Sequence, residues 1–143
     1  MTNENQPTLA LFYCQNVPGS SERDRQALEK KYGKCLRLFP IPCSGRLEPV
    51  HLLRALEEFA DMAYVITCPE GACRYFEGNR RAKSRVERTK VIIAGIGLET
   101  ERVGIVVGEK EAPKALGEIV EELFEGTSQL GPSPVLQQAA NKC

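Results

Sequence analysis

The sequence predicts an α/β protein: a four-stranded parallel sheet, strand order 2-1-3-4, with helices on both faces. Three observations lead there. Short apolar runs alternate four times with stretches of helical periodicity, the layout of strand–helix–strand units. The strands are apolar on both sides rather than alternating, as in a sheet covered on both faces. The helical stretches also supply the crossovers that parallel strands need, and such crossovers are right-handed. With 143 residues, 42% of them hydrophobic, the chain reads as one domain able to bury a core without staples.

Thr8–Cys14 is the first strand, ended by Gln15, Asn16, Pro18 and Gly19. Ser20 or Ser21 caps a helix over Glu22–Tyr32, acidic early, basic late at Lys30 and Lys31, and stopped by Gly33. Leu36–Cys43 is the second strand; Pro40 and Pro42 each remove a backbone donor, which assigns it to a sheet edge. Glu48–Ala60 carries Leu52, Leu53, Leu56, Phe59 and Ala60 at helical spacing and opens near Pro49. Met62–Cys68 is the third strand. From Asn79, read as the cap, to Ile96, the positions Ala82, Val86, Thr89, Ile93 and Ile96 share a face, and Gly97 ends the helix. Val103–Val107 is the fourth strand. Ala112, Ala115, Leu116, Ile119, Val120, Leu123 and Phe124 form the stripe of a last helix closed by Gly126. The architecture expected is a small flavodoxin-like layered fold over residues 1–126, with 127–143 as a C-terminal tail, mobile or docked on a partner.

Charge narrows the function classes. Nineteen basic residues balance nineteen acidic ones for a net charge of +0, which argues against a surface built to grip nucleic acid. No apolar run approaches the roughly 20 residues of a membrane span, and the polar start Met1–Gln6 lacks a secretory layout, so the expectation is a cytoplasmic chain. No Gly-x-Gly-x-x-Gly or Walker pattern follows any strand; Gly104 and Gly108 do not make one. The lone histidine, His51, excludes a His-rich metal site and reads as an exposed or half-buried helix residue.

The six cysteines are the informative residues. Their share is far below the roughly 8–10% of a disulfide scaffold, so reduced thiols and metal or redox chemistry are expected. Cys14, Cys43 and Cys68 fall at the C-terminal ends of the first three strands, with Cys73 in the loop that follows. In a parallel sheet these ends share one edge, the crevice where such folds bind ligands, and helix N-termini there favour anions such as thiolates. Any one of the four fits equally a small buried hydrophobe; four at one edge point to a site. Four thiolates suit zinc or an iron–sulfur cluster, although only Cys68 and Cys73 are close enough for a zinc knuckle. Cys35, at the opposite edge, reads as packing or an incidental thiol, and Cys143 as the end of the tail. A dithiol enzyme using Cys68 and Cys73 is disfavoured because no Cys-x-x-Cys is present. The basic stretch Arg74, Arg80, Arg81, Lys83, Arg85, Arg88 and Lys90 reads as a solvated helix face or as a docking surface for an acidic partner.

Phe12–Asn16 (FYCQN), Cys43–Arg46 (CSGR) and above all Cys68–Asn79 (CPEGACRYFEGN), followed by Ala82, Arg85 and Val86, resemble the delta subunit family of methyl-viologen-reducing hydrogenase, the small iron–sulfur protein of heterodisulfide reductase complexes. The resemblance runs from Thr8 to Phe124. It implies a [2Fe-2S] cluster with Cys14, Cys43, Cys68 and Cys73 as ligands. It also implies relay of electrons between a hydrogenase or formate dehydrogenase and a flavin-containing heterodisulfide-reductase-type subunit, with catalysis left to those partners. Two positions depart from the family pattern: Val17 stands where a second cysteine is frequent, and Arg74 where a histidine is, adding positive charge expected to raise the cluster potential. Backbone N–H groups of Ser44, Gly45, Gly71 and Ala72 are positioned in sequence to tune the cluster, and Arg46, Arg74 and Asn79 to organise its loops. The alternative is a cluster-free or zinc-binding adaptor within the same kind of assembly.

Overall fold

The computed structural model describes residues 8–14, 17–41, 47–67, 78–107 and 114–126. Four strands, β1 (Leu9–Cys14), β2 (Leu36–Ile41), β3 (Met62–Thr67) and β4 (Val103–Val107), form one all-parallel sheet in the order β2-β1-β3-β4. Four helices follow them in turn: α1 (Glu22–Tyr32), α2 (Pro49–Glu58), α3 (Gly78–Gly95) and α4 (Leu116–Gly126).

Strand periodicity divides the core in two. Leu9, Leu11 and Tyr13 of β1 pack with Leu36, Leu38, Met62 and Ile66 under Leu116, Ile119, Val120 and Phe124 of α4, with Leu28 and Tyr32 of α1 closing that layer. Ala10 of β1 joins Ala63, Val65 and Val103 on the other face, against Leu52, Ala55 and Leu56 of α2 and Val86 and Ile93 of α3. Small residues Ala10 and Ala63 at the sheet centre let α2 and α3 approach closely, whereas the other layer is filled by larger side chains, including the stacked rings of Tyr32 and Phe124 at 5.0 Å.

The second strand lies at a sheet edge, as its prolines require. Pro40 of β2 sits opposite Tyr13 on the strand that borders the sheet, where a missing N–H is tolerated. An edge donor there is answered by a helix: the N–H of Leu38 donates to Glu29 Oε2 at 3.0 Å, and Arg25 Nη1 donates to Glu29 Oε1 at 2.7 Å to hold that carboxylate.

Helix ends carry two corrections. α1 spans Glu22–Tyr32 as expected, with Ser21 as its cap: Asp24 N–H donates to Ser21 Oγ at 3.1 Å while Asp24 Oδ2 accepts from the Ser21 N–H at 3.2 Å. α3, however, starts at Gly78, so Asn79 lies in its first turn and is not the cap. α2 ends at Glu58, because Phe59 and Ala60 leave the helix to meet β3: the N–H groups of both donate to the Ala55 carbonyl, at 3.0 and 2.7 Å. The expected extension of the second strand to Cys43, the start of the last helix at Ala112 and the tail 127–143 lie outside the described residues.

Candidate functional site

The C-terminal edge of the sheet is built around Cys14, the last residue of β1 and 3% exposed. Cys14 pairs with Ile41 in β2, and its neighbour Tyr13 pairs with Ile66 in β3, so β1 lies between the strands that lead to Cys43 and Cys68. Cys43 follows Ile41 by two residues; Cys68 follows Thr67 directly, one peptide or about 3.8 Å along the chain. Adjacent strands lie about 4.8 Å apart. The described ends of β1, β2 and β3 thus stand side by side at the point where the strand order reverses, the place where open α/β sheets hold ligands.

Of the expected site residues, Cys14 lies within the described parts and Asn79 is placed by its backbone in α3. Cys43, Ser44, Gly45, Arg46, Cys68, Gly71, Ala72, Cys73 and Arg74 lie outside them. Among the described residues there is no group of three or more metal-ligating side chains. By sequence, Cys43, Cys68 and Cys73 belong to the connections that leave β2 and β3, the strands beside Cys14, and thiolates are a donor type that fits a metal centre.

The connection after β1 is closely bonded where it is described. The N–H of Val17 donates to the Cys14 carbonyl at 3.0 Å, the Ser20 hydroxyl donates to the Val17 carbonyl, and the N–H of Leu116 donates to the Pro18 carbonyl at 2.8 Å. Val17 is 7% exposed and packs in the same cluster as Cys14 and Leu116, so the position where a second cysteine is frequent is filled by a buried aliphatic side chain beside Cys14. Tyr13 is buried too, and burial raises its phenol pKa.

The starts of α1 and α2 have less to offer an external anion than expected. α1 carries Glu22 and Asp24 in its first turn, together with the Ser21 cap. α2 begins with a reciprocal arrangement in which the Glu48 N–H donates to His51 Nδ1 at 2.9 Å. Both helix starts thus use their own side chains where an external anion would bind. His51 is exposed and serves as this capping partner.

The basic stretch divides in two. Arg81, Lys83 and Arg88 are exposed on α3, as are Val91, Ile92 and, just beyond the helix, Ile96. Arg85 instead turns back toward the start of α2: Nη1 donates to the Leu47 carbonyl at 2.9 Å and Nη2 lies 3.3 Å from Glu48 Oε1. The charge run alone carries no signal of this role in the fold.

Cys35 is fully buried in a short 3-10 turn ahead of β2 and packs in the layer of Leu9 and Leu36, as expected of a packing residue, but it is disulfide-bonded and so is not an incidental thiol. Cys14 is not in a disulfide.

Residues 9–131 match the family described as methyl-viologen-reducing hydrogenase, delta subunit. The chain belongs to this family. Within it, the chain is similar to the vhu iron-sulfur subunit of the F420-non-reducing hydrogenase of Methanopyrus kandleri, 34% identical over 127 residues that cover 87% of this chain and 96% of that protein. The vhc iron-sulfur subunit of the F420-non-reducing hydrogenase of Methanococcus voltae is 36% identical over 98 residues, 68% of either chain. A third relative differs in size. It is a subunit of the ferredoxin/F(420)H(2)-dependent CoB-CoM heterodisulfide reductase of Methanosarcina acetivorans, 28% identical over 127 residues, which are 88% of this chain and only 16% of that protein. A domain like this delta-subunit chain is therefore also built into a much longer reductase polypeptide. Among the described residues no helix is long and apolar enough to cross a membrane.

Proposed function

We propose that this chain is a [2Fe-2S] electron-transfer subunit, with Cys14, Cys43, Cys68 and Cys73 as ligands. In this reading it relays electrons between a hydrogenase, a formate dehydrogenase or a similar oxidoreductase and the flavin-containing subunit of a heterodisulfide-reductase-type complex. The observation that carries the reading is the register at the sheet edge: Cys14 ends the strand flanked by the two strands that lead to Cys43 and Cys68. Relatives named as iron-sulfur subunits support the kind of group, and the reductase polypeptide that contains a similar domain supports the kind of partner, since a domain fused in one protein and separate in another commonly keeps the same neighbour.

When bound, such a cluster takes up and releases one electron at a time. The chain's own residues hold it. Thiolates from three connections would fix its position, Val17 and Leu116, which pack with Cys14, would exclude water on that side, and the N–H groups of Ser44, Gly45, Gly71 and Ala72 would be the donors to its sulfurs. Arg46, Arg74 and Asn79 organise the loops. The exposed Lys83 and Arg88, beside Val91 and Ile92 on α3, are the docking face for an acidic partner. No catalytic residue is assigned; catalysis belongs to the partners, and the compartment is the cytoplasm.

Serine substitution tests the ligand set. In anaerobically purified protein, Cys14→Ser, Cys43→Ser, Cys68→Ser and Cys73→Ser each lower bound iron or change the visible sulfur-to-iron absorption, whereas Cys143→Ser does neither. Unchanged iron in any of the four removes that residue from the set. Zinc in place of iron throughout supports the adaptor reading instead.

A further inference from the structure

Arg85 joins two segments that are 38 residues apart in the chain. Its guanidinium reaches from α3 to the Leu47 carbonyl and the Glu48 carboxylate at the start of α2, at 2.9 and 3.3 Å. Leu47 is 1% exposed and packs in the same layer as Leu52 and Val86, so the carbonyl that accepts from Arg85 belongs to an anchored residue. Between Leu47 and the end of β2 lies only the segment 42–46, which contains Cys43, Ser44, Gly45 and Arg46. Of the described residues that border it, Ile41 is held by its pairing with Cys14 and Leu47 by Arg85. Arg85 also belongs to the helix that directly follows the connection containing Cys68 and Cys73.

We infer that Arg85 is a positioning residue that sets the Cys43 connection against the Cys68 and Cys73 connection, and so fixes the spacing open to a metal centre shared between them. Its influence on that centre rests on the cluster reading proposed above; its hold on Leu47 does not. The planar fork of an arginine meets a carbonyl and a carboxylate at once, which the single ammonium of a lysine does less well. The geometry gives arginine a reason at this position that a solvated helix face does not.

The test uses the full chain as Arg85→Met, Arg85→Lys and Glu48→Gln. In metal-free protein, amide exchange over residues 42–50 rises roughly tenfold in Arg85→Met, the worth of one charge-assisted hydrogen bond, while amides of α1 and α4 keep their rates. Arg85→Lys falls between wild type and Arg85→Met, and Glu48→Gln, which spares the carbonyl bond, stays near wild type. In iron-loaded protein, Arg85→Met loses iron to EDTA faster and shifts the reduced-state electron paramagnetic resonance signal. Unchanged exchange over 42–50, or a rise spread equally over the whole chain, overturns the clamp. Should Arg85→Met fail to fold, Arg85→Lys decides by the same readouts. Wild type that takes up no iron defeats the cluster reading and leaves the exchange experiment to judge the clamp by itself. Faster exchange with unaltered iron loss and spectrum overturns the link to the metal centre.

Discussion

The N–H of Leu116 donates to the carbonyl of Pro18 at 2.8 Å, which ties the connection after β1 to the first residue of α4. The approach is close because Gly19 lies between them: its φ is +65°, and a Cβ built there would stand 3.0 Å from Ala115 Cβ. Two costs therefore meet at one position, a left-handed backbone and a tight contact. Gly19→Ala is expected to destabilise the fold by about 1–2 kcal/mol in urea denaturation. Adding Ala115→Gly recovers only the contact. Full recovery in the double variant would show that the backbone conformation carries no penalty.

Arg102 plays a comparable part at the opposite edge of the sheet. It is 1% exposed, donates from Nη1 to the Asp61 carbonyl at 3.1 Å, and from Nε and Nη2 to the two carboxylate oxygens of Glu99 at 2.9 and 3.3 Å. Asp61 in turn accepts the Thr8 N–H at Oδ2, at 2.9 Å, so the starts of β1, β3 and β4 are joined through polar groups. Arg102→Met leaves the Asp61 carbonyl without this donor and is expected to cost about 2–3 kcal/mol. Its site lies away from Cys14, so metal content per folded chain stays at the wild-type level; a parallel loss of metal in the folded fraction would contradict the separation of the two edges.

The same pair gives the acid limb a direction. The hydrogen bond from Arg102 holds the Glu99 carboxyl below its ordinary 4.5. A carboxyl whose pKa is lowered on folding stabilises the fold above its unfolded pKa, and loses that contribution as pH falls through the folded value. Stability is thus expected to decline below about pH 4.5 partly through this group, and less steeply in Glu99→Gln. Glu99 is exposed, so the difference is small and shrinks with added salt. Identical acid limbs for the two proteins at low salt would refute the assignment.

Tyr64 covers Gly104 on the neighbouring strand. The two are register partners, a Cβ at Gly104 would run into the Tyr64 ring, and the phenol donates to the Glu101 carbonyl at 2.6 Å. Burial raises the phenol pKa, in keeping with a hydroxyl that stays a donor. Gly104→Ala is expected to cost about 1–3 kcal/mol by overpacking. In a double-mutant cycle with Tyr64→Ala, that penalty largely disappears. Additive penalties would mean that the ring does not set the requirement for glycine.

Much of this fold is legible because it is written in local periodicity. The bounds of α1 and β4 and the edge position of β2 follow from cap residues, apolar runs and Pro40, all signals within a few residues of the element they specify, whereas the order of the strands comes with the expected flavodoxin-like layout and is borne out by the sheet. The rest depends on partners distant in sequence. Nothing adjacent to Arg102 says that it is buried against the backbone of Asp61, and nothing in the basic run distinguishes Arg85, which turns to Leu47, from Arg88, which faces solvent. The disulfide at Cys35 is hidden too, because no spacing pattern in the sequence marks that residue as half of a pair. Asn79 has the chemistry of a cap but not the place of one, because Gly78, a poor helix former, nevertheless begins α3. At the candidate site, topology brings Cys14 between the strands leading to Cys43 and Cys68 as the strand order implies, while the self-capping of α1 and α2 takes away part of the dipole argument for an anion there.

The central claim is that the thiols at this edge hold a two-iron cluster. Iron and acid-labile sulfide measured together on anaerobically purified wild-type chain, with the electron paramagnetic resonance spectrum of the dithionite-reduced protein, test it most directly. The account predicts about two iron and two sulfide per chain and a signal from one unpaired electron. Stoichiometric zinc, or a colourless chain that takes up no iron on reconstitution, contradicts it.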